Sequence, residues 1–374
     1  MATPKRGNPD FTLLFLTLAL VVFGVVMVFS SSFSVSSEQY DGDYLYFTRK
    51  QIQWAVLGLI AMLFTMNLPF QVYQKWAPHI TVGTLLLMTT VFLPGIGTEV
   101  NGARSWIRLG SYTLQPAEFA KIGLILYLAN ILTKKEGRVA DFKRGLLPIL
   151  IMISLFTFLL LLQPDMGTAI VILAMSLIVI ICGGAKLKHL AMIGIPIAAL
   201  LLFAGMNMEH VRDRFTSFLD PWADPYNSGY NLIQSMYAFG HGGLTGTGLG
   251  QGIQKHGYLP YPQTDFIFSI IGEELGFIGV FICIATYIFF IWRALFITLR
   301  SESVFGSLVG MGVISIIFLQ IAINIGGATG ALPITGVTLP FISYGGSSLF
   351  ALMTSVGILL SISRETTLKQ AKGK

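Results

Sequence analysis

The stretch GLLPILIMISLFTFLLLLQPDMGTAIVILAMSLIVIIC, residues 145–182, holds two apolar runs without a charged residue inside either. Only Gln163-Pro164-Asp165 parts them. Each run is close to the roughly 20 apolar residues needed to cross a hydrocarbon core about 30 Å thick. Proline stops the first helix because it lacks an N–H, and the Asp165 carboxylate can cap the second. The stretch therefore predicts two membrane-spanning helices joined by a very short turn.

Working outward by the same criterion, apolar runs predict ten spans, at about 11–32, 51–67, 77–95, 115–133, 145–163, 166–184, 188–206, 265–294, 305–328 and 346–363. The eighth run is too long for one upright span, so a tilt or an emergent first turn is expected. The first run follows Lys5 and Arg6, exceeds a signal-peptide core and lacks an A-x-A site, which predicts a retained helix. The expected fold class is an all-α polytopic integral membrane protein of about ten transmembrane helices, in a single domain over 1–374. No repeat at a fixed period and no low-complexity segment is evident.

Composition agrees. Of 374 residues, 54% are hydrophobic and 11% charged, and the mean hydropathy is +0.72. Soluble domains carry roughly 25% charged residues. Cys182 and Cys283 both fall inside apolar runs, which argues for two structural thiols and against a disulfide or metal framework.

Orientation follows from the basic residues. Sixteen of the 24 Lys and Arg fall on one side of the predicted spans, among them Lys5, Arg6, Lys75, Lys134, Lys135, Lys143, Arg144, Lys186, Arg300 and Arg364. That side is expected to be cytoplasmic and to hold both tails, 1–10 and 364–374. The net charge of +6 is thus a topology signal, and nucleic acid is not an expected partner. Short outer loops follow spans one, three and five. A long extracellular loop, about 207–264, lies between spans 7 and 8, and 326–348 joins the last two. Within the long loop, Leu232, Ile233, Met236 and Tyr237 predict a short amphipathic helix at the interface.

Ionisable groups at membrane depth are costly and mark candidate sites. Glu118 and Lys121 stand at i,i+3 near the outer end of span four, either a packing ion pair or the wall of a polar cavity. Before them, Arg104 and Arg108 lie against the topological bias beside Trp106. They are either interfacial anchors or donors suited to phosphate. Arg212 and Arg214 admit the same two readings. Asp265 stands at the mouth of span eight, as a helix cap or as a general base. Glu273 and Glu274 lie two turns deeper, and at least one is expected to face the interior. The glycines between Gly240 and Gly252 follow no strand and precede no Lys-Ser/Thr, so a tight packed loop fits better than a nucleotide site. In 338–348, containing Ser343, Pro and Gly break the helix where backbone can line a pocket. Arg104, Arg108, Lys121, Asp165, Arg212, Arg214, Asp265 and Glu273 together suit an amphiphile with an anionic head and a lipid tail. That leaves open whether the ligand is moved, modified or merely bound.

These residues resemble the SEDS proteins (RodA, FtsW and SpoVE). The resemblance rests on Asn101-Gly-Ala-Arg-Ser-Trp-Ile107, Gln115-Pro-Ala-Glu-Phe-Ala-Lys121, Gln163-Pro-Asp165, Asp220-Pro-Trp-Ala-Asp-Pro225, Thr264-Asp-Phe-Ile-Phe268 and Leu339-Pro-Phe-Ile-Ser-Tyr-Gly-Gly-Ser-Ser348, in order along the chain. Glu273-Glu-Leu-Gly276 and the short termini lean toward the FtsW/SpoVE branch. The resemblance implies a peptidoglycan glycosyltransferase that polymerises lipid II, an undecaprenyl-pyrophosphate disaccharide-pentapeptide, into β-1,4-linked glycan at the outer face of the bacterial cytoplasmic membrane. It implies Asp265 as the catalytic aspartate, Trp106 as the loop tryptophan, and Glu118 with Lys121 as the cavity pair. Arg104, Lys121 and Arg212 or Arg214 would steady the pyrophosphate. No cofactor is specified. A divalent cation, Mg or Mn, could assist, but no ligand set is evident. The expected partners are a class B penicillin-binding protein transpeptidase and other division, elongation or sporulation wall proteins. The competing readings are a lipid II flippase and a non-catalytic scaffold.

Overall fold

The computed structural model describes residues 7–100, 103–135, 141–186, 188, 190, 191, 194, 212 and 216–372. Ten α-helices are assigned here among them: α1 (Phe11–Gln39), α2 (Tyr46–Asn67), α3 (Phe70–Thr89), α4 (Pro116–Lys134), α5 (Leu147–Leu162), α6 (Met166–Cys182), α7 (Tyr230–Gly242), α8 (Ile267–Leu299), α9 (Val304–Thr329) and α10 (Gly346–Lys372). Six of these, α1, α4, α5 with its leading π-helical turn, α8, α9 and α10, are individually long and apolar enough to cross a membrane. α2 and α3 meet that standard only as a pair, bent by 115° at Leu68-Pro69. Nine of the expected spans coincide with helices, and most of the seventh, 188–206, lies outside the described residues.

Local chemistry sets the helix ends. The Asp10 carboxylate accepts from Leu13 N (2.9 Å) to open α1. Asp165 Oδ1 accepts from Thr168 N (3.1 Å) to open α6, the cap expected from the sequence. Pro116 occupies the first turn of α4, where its missing N–H costs nothing. Boundaries differ most in three places. α1 runs on to Gln39, α3 begins at Phe70 so that Lys75 is helical, and α10 continues to Lys372 through most of the expected tail.

The segment read as a plain outer loop is partly a three-stranded antiparallel sheet: β1 (Gly97–Val100), β2 (Ala103–Leu109) and β3 (Tyr112–Leu114). Thr98 pairs with Trp106, and Ile107 with Leu114. Ser105 and Ile107 are buried on one face while Trp106 and Arg108 stay more open, the period-two pattern of a half-buried strand.

Tyr287, Phe156, Phe268, Phe290 and Phe341 are fully buried in the core. Val56, Ile60 and Phe64 on α2 and Phe281, Ile282 and Ile288 on α8 point outward, the apolar exterior of a bundle whose solvent is lipid. α2 and α10 pack closely. A Cβ on Gly357 would come within 2.0 Å of Thr65 Oγ1, the small-residue contact that membrane helices favour.

α8 is broken at Gly276, whose φ of +64° interrupts the helix. The segment 243–248 fills the break. Thr247 N donates to Glu273 O (3.0 Å) and Gly248 N to Glu274 O (3.0 Å), while Phe277 N donates to Gly243 O (2.9 Å) and Ile278 N to Leu244 O (3.1 Å). Two helical i→i+4 bonds are thus replaced by four bonds to the loop. The long expected eighth span is accommodated by this break. α7 is the predicted short helix, but Leu232 and Ile233 are buried in the protein while Met236 and Tyr237 are exposed.

Candidate active site

A cavity of about 970 Å³ lies at the bundle end that carries the β-sheet and the 217–266 segment. Its wall combines Tyr40, Tyr46, Lys50 and Trp54, then Trp106, Arg108 and Tyr112 of the sheet. Glu118 and Lys121 of α4, Asp165 and the chain 261–265 complete it, with the breaks 335–338 and 344–348.

Asp265 occupies the wall where the chain enters α8. The cap position of α8 falls on Phe266, one residue beyond Asp265. Three successive carbonyls hold the backbone there. Gln263 O accepts from Tyr344 N (2.8 Å), Thr264 O from Ser343 Oγ (2.6 Å) and Asp265 O from Asn324 Nδ2 (2.9 Å). The same amide of Asn324 donates to Val337 O (2.9 Å), and Asp265 Oδ2 would lie 3.9 Å from a Cβ placed on the adjoining Gly336. Ser343 thus fixes the approach to Asp265 instead of lining the cavity. Asn324 carries no ionisable group, so charge at membrane depth does not mark it. A carboxamide inside the ninth apolar run was the available signal.

Glu118 and Lys121 are both buried and paired at 2.8 Å on the cavity wall. Glu118 Oε2 is buried without a hydrogen-bond partner, as are Gln263 Oε1, Gln320 Oε1 and Thr335 Oγ1, all on wall residues. An unmade bond at such an atom costs about 1–3 kcal/mol. Asp165 accepts from Gln115 Nε2 (2.8 Å) and Thr168 N. Burial pushes its carboxyl above the usual range, and the Thr168 bonds pull it back.

The predicted cations divide. Trp106 and Arg108 are on the wall, but Arg104 is not: its Nη2 donates to Leu93 O (3.3 Å), turning the guanidinium back onto the chain before β1. Arg212 is exposed and away from the cavity, and Arg214 lies outside the described residues. Lys50, absent from the sequence reading, lines the cavity, with Nζ donating to Tyr46 OH (2.8 Å) and Ser111 O. Glu273 and Glu274 both face the interior, yet neither lines the cavity, because the break at Gly276 lets loop segments cover both. Among the described residues, no three His, Cys, Asp or Glu side chains gather as a metal site.

Residues 11–368 match the cell cycle protein family FtsW/RodA/SpoVE. The chain belongs to this family. Stage V sporulation protein E of Bacillus subtilis is 41% identical over 364 residues, covering 97% of this chain and 99% of that protein. The probable peptidoglycan glycosyltransferase FtsW of Geobacter metallireducens is 39% identical over 354 residues, covering 95% and 94%. A chain of a peptidoglycan synthase complex superposes with a TM-score of 0.77 at 29% identity, covering 96% of this chain and 98% of that one. Thermus thermophilus RodA superposes with a TM-score of 0.71 at 29% identity, covering 95% and 97%. Within the FtsW/RodA/SpoVE family, this SEDS chain therefore leans toward the FtsW/SpoVE branch, and it is a multi-pass protein of the cytoplasmic membrane.

Proposed function

We propose that this chain is a peptidoglycan glycosyltransferase that polymerises lipid II into β-1,4-linked glycan, with Asp265 as general base. The observation that carries this reading is the shared wall: Asp265, the buried Glu118–Lys121 pair and wall residues with orphaned oxygens surround one polar cavity of about 970 Å³. That suits a hydroxyl-rich sugar head. The names of the FtsW relatives support the same reaction class. The basic Lys135, Lys143, Arg144 and Arg300 lie at the opposite end of the bundle, which supports an outer-face cavity and cytoplasmic termini.

In the proposed step, Asp265 accepts the proton from the acceptor 4-hydroxyl as that oxygen attacks the donor anomeric carbon. The bond to the pyrophosphate oxygen breaks with its electron pair, and one displacement turns an α-linked donor into a β-linkage. Lys121 is already neutralised by Glu118, so Lys50 and Arg108 are the cavity cations that would meet the developing pyrophosphate charge. The match to a chain of a synthase complex supports a transpeptidase partner, and a class B penicillin-binding protein is the partner proposed.

The test is lipid II polymerisation by the purified protein beside Asp265→Asn and Asp265→Ala, with and without a cognate transpeptidase. Removing a general base should lower the rate by about 10²–10⁴-fold. Equal glycan from all three proteins would overturn the assignment.

A further inference from the structure

A second buried charged cluster lies outside the cavity. Glu273 and Glu274 are fully buried, and Lys255 is 2% exposed. Glu274 Oε1 accepts from Lys255 Nζ (2.6 Å), and Ser30 Oγ on α1 donates to the same carboxylate at 2.6–2.7 Å. Glu273 Oε1 accepts from Ile253 N (2.9 Å) and Gln254 N (3.2 Å), and His241 Nδ1 is 3.4 Å away. Every charge in the cluster is met, as burial requires.

The connectivity gives the cluster a direction. α8 carries Asp265 just before its first turn and the two glutamates at the end of its upper segment. Lys255 lies on the chain leading into Asp265. The Lys255–Glu274 pair therefore closes a ring of backbone, residues 255–274, with Asp265 inside it. Leu259 N donating to Gln254 O (2.8 Å) and the buried Leu259 tighten the path between. Ser30 fixes the ring to α1, while Ser343 and Asn324 fix its far side. The 243–248 segment in the α8 break locks the same corner.

We infer that Glu273, Glu274 and Lys255 are positioning residues, which set the Asp265 carboxylate by holding the inserted loop and the closed ring together. This rests on reading Asp265 as the base. A displacement of about 1 Å at a reacting group can cost up to about a hundredfold in rate. Glu274→Gln leaves the Lys255 ammonium buried and uncompensated, so it shifts the ring without touching the cavity wall.

The experiment compares wild type, Glu274→Gln, Lys255→Met and the neutral pair Glu274→Gln/Lys255→Gln, purified as the full chain, with lipid II as substrate. The expected result is a fall in kcat of about tenfold or more in both single variants, with KM within about twofold of wild type. The neutral pair should recover most of that loss, because no bare charge remains. A lowered melting temperature with unchanged kcat per folded molecule, or a rise in KM alone, would overturn the inference. Glu273→Asp, which draws the carboxylate back from Ile253 and Gln254, gives the same reading if Glu274→Gln fails to accumulate. Amide hydrogen exchange supplies an arm independent of substrate. Residues 256–266 should exchange faster in Glu274→Gln while α4 is unchanged, and unchanged exchange there would count against the ring. If wild type makes no glycan even with the cognate transpeptidase present, the reaction assignment fails, and the exchange arm still decides the positioning claim.

Discussion

The side-chain amide of Asn324 donates to the backbone carbonyl of Asp265 at 2.9 Å, from the C-terminal part of the apolar helix α9. It makes a second bond of equal length to Val337 O, next to Gly336, so one carboxamide joins the two chain segments that face each other across the proposed base. Asn324→Leu should leave two carbonyls without that donor, at about 1–3 kcal/mol each if both stay buried. We expect a lowered melting temperature and a kcat loss larger than any change in KM. Asn324→Asp should be worse, since a carboxylate would face two carbonyl oxygens. Thermal unfolding and initial polymerisation rates on the same preparations check both effects.

Arg104 and Arg108 lie two periods apart on β2 and are distinguished by what they meet. Arg108 lines the cavity, whereas Arg104 turns to Leu93 O. A hydrogen bond to a charged partner contributes about 1.5–3 kcal/mol. Arg108→Ala should therefore reduce kcat/KM by about ten- to a hundredfold, and Lys50→Met should behave alike. Arg104→Ala should stay within about twofold. The reverse order would return the pyrophosphate to Arg104.

The buried Glu118–Lys121 pair admits a packing role and a cavity role, and a double substitution separates them. Removing either partner of a buried pair costs about 3–5 kcal/mol, while replacing both leaves no bare charge. Glu118→Gln and Lys121→Met should each lower the melting temperature strongly, and the double variant should recover most of it. Polymerisation should not recover, because the cavity needs the charged groups themselves. Recovery of both stability and activity would reduce the pair to packing.

Much of this was legible in the sequence, for identifiable reasons. The apolar runs around Gln163-Pro164-Asp165 specify helices locally, and the Asp165 cap is a three-residue relation. The role of Asp265 was not local. It depends on Asn324, Ser343 and Gly336, brought in from 59 or more positions away; the residues alone left Asp265 open between helix cap and general base, and the family motif implied the base. The sheet was missed because β2 lies among glycines and turn residues, although its alternation could be read. Lys255 gave no signal because nothing in its neighbourhood marks it as buried. Both glutamates turn inward where a regular helix would have separated them by about 100°, because the inserted loop covers both sides of the break.

That insertion makes a last prediction about stability. Gly246 and Gly250 both adopt positive φ, +82° and +83°, so alanine at either position meets a left-handed backbone that costs roughly 1–2 kcal/mol. They differ in their surroundings. A Cβ on Gly246 would lie 2.1 Å from Glu274 O, a backbone atom that cannot yield without expelling the loop from α8, whereas a Cβ on Gly250 meets nothing within 4 Å. Gly250→Ala should fold with a modestly lowered melting temperature. Gly246→Ala should melt well below it, or fail to accumulate, because its substitution adds a backbone clash to the same local strain. Melting curves of the two variants in one detergent decide the matter: equal values would mean that segment 243–248 does not occupy the break, and a wide gap would locate the insertion at Gly246.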